Sequence, residues 1–561
     1  MRIGLLTEGG YPYATGESRL WCDRLVRGLA PHEFDLYALS RTAREEAGGH
    51  VVLPPHVRRV RTAPLWAPED DGRTHGRRDR RRFAGHFRSL AHGICAEPDA
   101  PGPDATGFAA APGGVLPGAL PQAVGDFAEG LYGLAELARE RGGLHAALRS
   151  ELAVRTLESA CRAPGVRRGV SAATVPDYLA FVDQLERALR PLSLDWYGDD
   201  ALGAADLCHA ASGGSAALPG LLAKRFFGTP LLVTEYGVQL RAHYLSAGDA
   251  PLSAPVRALL AAFQGRLAAE VYRQAALLTP GNTHARRWQE RCGADRARIR
   301  TVYPGMESAR FTEVGEDEES GDPATLVWVG RVEPAKDLIA LLHAFAEVRK
   351  AQPEVRLRII AAPVREPGAE TYLAHCRSLA AQLFPDEAAG AHDVGENPVT
   401  FEEIGGPEAP TLADAYAAGA VVVLSSVVEG FPISLVEAMF CARATVSTDV
   451  GAVVEVIGGT GLVVPPRNPR ALADSCLALL RDPERRYRLG AAARARALEL
   501  FTVEQNIAAF RGIYLELLSR SPVRRRAADG IPFGHPAESH VPGILAGRPV
   551  SAAGRAGDPD A

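Results

Sequence analysis

Lysine is almost missing from this sequence. Of its 62 basic residues only Lys224, Lys336 and Lys350 are lysines, and the rest are arginines. Where a lysine persists against that background, a compact ammonium is expected to serve better than a planar guanidinium. Long apolar runs are absent too. No stretch approaches the ~18 consecutive apolar residues of a membrane span, and the start MRIGLLTEGG has no apolar core of signal-peptide length. A cytoplasmic location is therefore expected. The eight cysteines are scattered and include no C-x-x-C pair. That excludes a disulfide framework and a zinc site, and reduced thiols are expected. An excess of positive charge is also lacking. The formal net charge of -5 argues against nucleic acid as a partner. The single D-x-D, Asp558–Asp560, falls in a Pro/Gly-rich tail, so no metal is expected.

What is present is ordinary for a globular chain: 47% hydrophobic and 23% charged residues. A length of 561 residues exceeds a single core and points to roughly two to four domains. The opening stretch LLTEGGYPYATGESRLWCDRLVRGL reads as a strand, a Gly-rich loop and an amphipathic helix. Such a turn at a helix start suits an anion, although it also serves as a plain βα connection. Strand–helix alternation continues with FDLYALS, DLCHAAS, PLLVTEYG, ALLTPGN and IRTVYPG. It is interrupted by an insertion at about 63–190. There a mixed-charge run with Arg77, Arg78, Arg80, Arg81 and Arg82, read as a solvated helix face, precedes a Pro/Gly/Ala-rich loop and a helical region from 126.

The acidic, turn-rich segment 312–323 is expected to link two domains, 1–311 and 324–501. The second domain has strands TLVWVG, RLRIIAA, VTFEEI, AVVVLSS, ATVST and GLVVPP with helices between them. Continuous apolar runs are typical of a parallel sheet covered on both faces. The fold class is therefore α/β, with two doubly wound, Rossmann-like domains. A helix at 502–519 closes the ordered chain, and 520–561 is expected to be disordered.

The chemistry concentrates in VVVLSSVVEGFPISLVEAMFCARATVSTDVG. A buried strand ends at Ser425 and Ser426, a turn carries Glu429 and Gly430, and Pro432 suits the first turn of a helix. The helix start offers N–H groups to an anion, and the flanking carboxylates offer acceptors to a diol. Glu429-GFPISLV-Glu437 resembles the E-x7-E signature of retaining family-4 glycosyltransferases of GT-B fold. WVGRVEPAKD is similar to the G-R-x-x-x-x-K-D segment of that family. The resemblance implies that Arg331 and Lys336 hold a donor diphosphate and Glu437 the ribose. Glu429 would contact the donor sugar, beside Gly430, Phe431, Pro432 and Ile433. It also implies that the loop 9–17 faces the donor across a cleft, with Gly16 allowing close backbone approach.

The N-terminal half resembles PelF-type exopolysaccharide glycosyltransferases in its opening loop and in DLCHAASGGSAALPGLLAKRFFGTPLLVTEYG. Three departures stand out. Glu17 follows Gly16 where family members often carry a second glycine, so it turns away from the diphosphate or meets an acceptor hydroxyl. Thr234-Glu235-Tyr236-Gly237 replaces T-E-H-G, which makes Glu235 and Tyr236 candidate substrate contacts. Ala442 replaces a glycine, which a negative φ would tolerate. His209 either binds substrate or is satisfied within the fold. Asp449 and Glu455 read as capping and surface charge.

The resemblance implies a retaining, metal-independent hexosyltransferase. Its co-substrate is a nucleotide diphosphate sugar, a UDP-hexose such as UDP-glucose, with no other cofactor and an unspecified acceptor. A peripheral contact with a membrane polysaccharide assembly fits the same resemblance. Other readings are a transferase acting on a small acceptor such as an inositol phosphate, a sugar-nucleotide epimerase, or a non-catalytic binding subunit.

Overall fold

A computed structural model describes residues 1–13, 17–47, 49–65, 71–97, 122–245, 252–316, 321–363, 367–385 and 397–520. The expectations for Gly16, the Pro/Gly/Ala-rich loop at 98–121, Asp558–Asp560 and the tail beyond 520 lie outside these residues. So does the surface placement of the Glu17 side chain, although Glu17 itself begins the helix Glu17–Gly28.

The first sheet contains β1 (Arg2–Glu8), β2 (Glu33–Ser40), β3 (Val57–Pro64), β4 (Leu207–Ala210), β5 (Leu231–Glu235) and β6 (Leu277–Pro280). Their order is β3-β2-β1-β4-β5-β6, and every pairing is parallel. The second sheet contains β7 (Asp322–Gly330), β8 (Arg356–Ala361), β9 (Val399–Glu403), β10 (Gly419–Leu424), β11 (Ala444–Thr448) and β12 (Leu462–Val464). It repeats the same winding in the order β12-β11-β10-β7-β8-β9. Strand direction reverses its spatial progression beside β1/β4 and beside β7/β10. Those two points leave crevices at the carboxyl ends of the strands, where ligands of such sheets bind.

The central strands explain themselves. All four residues of β4, all five of β5 and all six of β10 are buried. Edge strand β3, VRRVRTAP, has no such signal. Its arginines reach sideways, Arg59 and Arg61 to Asp200 and Arg61 also to Asp195. IRTVYPG forms no strand. It crosses between the domains, and Met306 makes a bridge with Thr502.

The arginine-rich run at 77 is the start of a 19-residue helix, Arg77–Cys95. Phe83, Phe87, Leu90 and Ile94 form its buried stripe at helical spacing. It lies against the helix Gln122–Arg141 with little space between backbones. A Cβ on Gly130 would stand 2.3 Å from the backbone nitrogen of Leu90.

The helix Val503–Arg520 returns the chain to the first domain. Ile507, Phe510, Ile513, Tyr514 and Leu517 join Ile3, Leu5, Phe34 and Leu207 in one apolar cluster. The C-terminal segment thus seals the face of the first sheet opposite the inserted helices.

Candidate active site

On the second domain, β7 runs into the loop that carries Arg331 and Lys336. Asp337, at φ 47°, caps the following helix Leu338–Ala351 by accepting from the Ala340 N–H at 3.2 Å. The loop after β10 is stitched to this one. Ser425 Oγ donates to the Lys336 carbonyl at 2.7 Å, and the Val427 N–H donates to the Ala335 carbonyl at 2.9 Å. Lys336 Nζ then lies 2.5 Å from Glu429 Oε1, which also accepts from Ser426 Oγ at 2.7 Å. Both side chains of the ion pair are largely buried, with 14% and 9% exposure. Arg331 stands exposed at the other end of the loop.

Next comes the helix Ile433–Phe440, whose start has no side-chain cap. Its first N–H groups therefore remain available to an anion. Glu437, one turn in, accepts from Tyr416 Oη at 2.8 Å. Burial and the nearby carboxylate push the Tyr416 phenol well above its ordinary range.

The first domain supplies the facing wall. A cavity of about 370 Å³ runs from the ends of β1 and β4 to Phe431 and Ile433 of the second domain. Glu8 ends β1 and lines this cavity. One oxygen accepts from the Ala216 N–H at 3.3 Å. The depth of the cleft raises the Glu8 pKa, opposed by that hydrogen bond and by Arg41. Ser212 also lines the cavity, and its buried Oγ has no hydrogen-bond partner among the described residues.

Tyr236 lines the cavity with its ring edge-on to Trp21 at 5.1 Å, while its hydroxyl accepts from Asn506 Nδ2 at 3.1 Å. Its hydroxyl is thus tied to the returning C-terminal helix.

Of the candidate substrate contacts, Glu235 is corrected, and His209 takes the second of its two readings. His209 is fully buried, with Nδ1 2.8 Å from Tyr514 Oη and Nε2 2.7 Å from Thr234 Oγ1. Both nitrogens are satisfied inside the fold, and burial lowers its pKa to about 3. Glu235 is also buried and turned away from the cavity. It accepts from the Gly213 N–H, Tyr272 Oη and Gln289 Nε2 at 3.0, 2.6 and 2.8 Å. Its role is to hold the loop that carries Ser212. Burial raises the Glu235 pKa against those three donors.

Glu455 is corrected in the opposite sense. Instead of a surface charge it joins the domains, accepting from the Thr283 N–H at 2.7 Å and from Tyr303 Oη at 2.9 Å. Ala442 has φ 53°, not the negative value expected. It occupies the left-handed position of a helix-ending motif, with the Arg443 N–H bonded to Ala438 O and the Ala442 N–H to Met439 O.

Glu8 and Ser212 are the residues that reading the sequence did not single out. The available signal was a carboxylate directly ending an apolar strand at a reversal point of the sheet.

Two facing sheets wound alike, with a cleft between their switch points, define the GT-B architecture. Solved structures agree on the fold. Sucrose-phosphate synthase from Thermosynechococcus elongatus superimposes with a TM-score of 0.53 at 16% identity, covering 93% of this chain and 100% of that one. Anabaena Alr3699/HepE in complex with UDP gives 0.53 at 13% identity, covering 92% and 100%.

Residues 1–297 match the family described as "Domain of unknown function (DUF3492)", and residues 323–482 match "Glycosyl transferases group 1". The chain belongs to these families: its first part is a DUF3492 domain and its second a group 1 glycosyltransferase domain. A D-inositol 3-phosphate glycosyltransferase of Kribbella flavida is 30% identical over 309 residues, 52% of this chain and 68% of that protein. One of Kineococcus radiotolerans is 33% identical over 225 residues, 36% and 49% respectively. The chain thus spans between about half and two thirds of these two relatives.

Proposed function

We propose that this protein transfers a hexose from a nucleotide diphosphate sugar, a UDP-hexose, to an acceptor hydroxyl with retention at the anomeric carbon. The observation that carries this reading is the Lys336–Glu429 ion pair, set beside the uncapped start of the helix Ile433–Phe440. An ammonium, helix-terminal N–H groups and the exposed Arg331 are suited to a diphosphate leaving group. Glu437 receives the ribose and Glu429 the hexose, with Gly430 to Ile433 as the donor-side backbone. The bond from the anomeric carbon to the diphosphate oxygen breaks. The acceptor oxygen bonds to the same face, and its proton passes to the departing phosphate.

In this reading Arg331, Lys336 and the helix-terminal N–H groups offset the charge of the leaving group, and no divalent ion takes part. The resemblance to PelF-type proteins supports a role in exopolysaccharide or glycoconjugate synthesis beside a membrane assembly. The printed names of the two relatives favour a second reading, a small polyol phosphate as acceptor.

NMR determination of the anomeric configuration of the product tests the proposal. A retained linkage from UDP-hexose is expected, and an inverted linkage overturns it.

A further inference from the structure

The wall of the cleft contributed by the first domain carries a carboxylate, Glu8, among apolar and polar groups. Half-buried Tyr236 gives it an apolar ring, backed by the buried Trp21 and Tyr11, and Glu8, Ser212 and Gln239 give it hydrogen-bonding groups. An apolar ring with a few convergent polar groups suits the alternating C–H and O–H surface of a polyol. A volume of about 370 Å³ lies within the usual range for a small-molecule site.

Two cations stand near Glu8. Arg24 is the one cation among the described lining residues. It donates to the Gly305 carbonyl at 3.0 Å and to Glu307 Oε1 at 3.2 Å. Arg41 is exposed beside Gly9, where a Cβ would come 3.4 Å from its Nε; it is not among the lining residues, although its charge acts on Glu8. Glu8, by contrast, faces the cavity with one oxygen that takes no hydrogen bond from the described residues.

Resting on the transferase reading, we propose that the Glu8–Ser212 cavity holds an uncharged polyhydroxylated acceptor and disfavours its phosphorylated counterpart. Above its raised pKa, Glu8 is ionised: the carboxylate then accepts from a hydroxyl of the neutral polyol and repels a phosphate placed in the same cavity. Ser212 Oγ supplies a second hydrogen bond. The Tyr236 ring offers the polyol an apolar contact. The cavity thereby separates this protein's acceptor from the phosphorylated one that its relatives' names specify.

The test is ligand-detected NMR on the full chain with myo-inositol and glucose against myo-inositol 1-phosphate and glucose 6-phosphate. Wild type, Glu8→Gln and Ser212→Ala are compared. The neutral compounds should bind at least roughly tenfold more tightly than their phosphates, the scale of one like-charge contact in a cleft. Glu8→Gln should weaken the neutral compounds and narrow that gap. Ser212→Ala should weaken the neutral compounds while leaving the gap in place. Tighter binding of the phosphates, binding of neither set, or an unchanged gap in Glu8→Gln overturns the proposal. A parallel UDP titration separates the two readings. Binding of UDP but of no polyol overturns the acceptor assignment alone. Binding of polyols but of no nucleotide overturns the transferase reading and leaves the cavity's preference standing.

Discussion

Lys336 and Glu429, 93 residues apart in sequence, meet at 2.5 Å where the loops after β7 and β10 converge. Neither is exposed enough for water to replace its partner. Removing one member of such a pair strands the other's charge. Lys336→Met should therefore destabilise the protein by about 3 kcal/mol. The double variant Lys336→Met/Glu429→Gln should recover most of that loss, as read by denaturant unfolding. Additive losses would show that the two side chains do not depend on each other.

Acid stability should carry the signature of His209. In the folded protein its imidazole takes a proton only near pH 3, against 6.5 ordinarily, because it is buried. Below pH 6.5 the unfolded chain therefore binds a proton that the folded chain refuses. Stability must fall as pH drops from 6.5 towards 3, with a limiting slope of about 1.4 kcal/mol per pH unit from this group. His209→Gln should be less stable at neutral pH yet show a flatter decline. Equal slopes in the two proteins would remove His209 as the source.

Ala442 sits at φ 53°, a conformation that an L side chain adopts at a cost of about 1 kcal/mol. Ala442→Gly should raise stability by about that amount. Thermal unfolding should move upward with no change in nucleotide binding. A lower midpoint would mean that the methyl group's contacts outweigh the backbone strain.

Glu455 fastens the second domain to the first through the Thr283 N–H and Tyr303 Oη. Glu455→Ala should remove about 1–3 kcal/mol from the closed arrangement, as for a lost hydrogen bond to a charged group. Small-angle scattering should register a larger radius of gyration. An unchanged profile would show that the remaining contacts, among them Arg241 donating to the Glu429 carbonyl at 3.0 Å and the returning helix Val503–Arg520, hold the domains without it.

Much of this fold was legible because buried parallel strands announce themselves as apolar runs. β10, GAVVVL, and β5, LLVTE, needed no partner sequence to be seen. Strand β3 was not legible, since an edge strand stabilised by arginine contacts carries no apolar pattern. The helix Arg77–Cys95 was only half legible. Its arginines drew attention away from the stripe of Phe83, Phe87, Leu90 and Ile94.

At the site, the spacing of Glu429 and Glu437 and the lone Lys336 marked the second domain's loops. The bond between Lys336 and Glu429 was invisible, because it depends on how two loops meet. His209 was open between a substrate contact and a structural role because it lies near the end of a strand by the cleft, and Glu235 was a candidate through the T-E-H-G resemblance. Which way a strand-end side chain turns is decided by neighbours distant in sequence, here Tyr514 for His209 and Tyr272 for Glu235. Glu8 ends its strand in the same way and turns into the cavity.

The most direct measurement is calorimetric titration of the full chain with UDP, GDP and ADP, repeated on Lys336→Ala and Glu437→Ala with their folding checked by circular dichroism. Selective UDP binding is predicted, weakened roughly tenfold or more in each folded variant, as expected for loss of a hydrogen bond to a charged group. Absence of binding to any nucleotide, or UDP affinity untouched by both substitutions, would contradict the account.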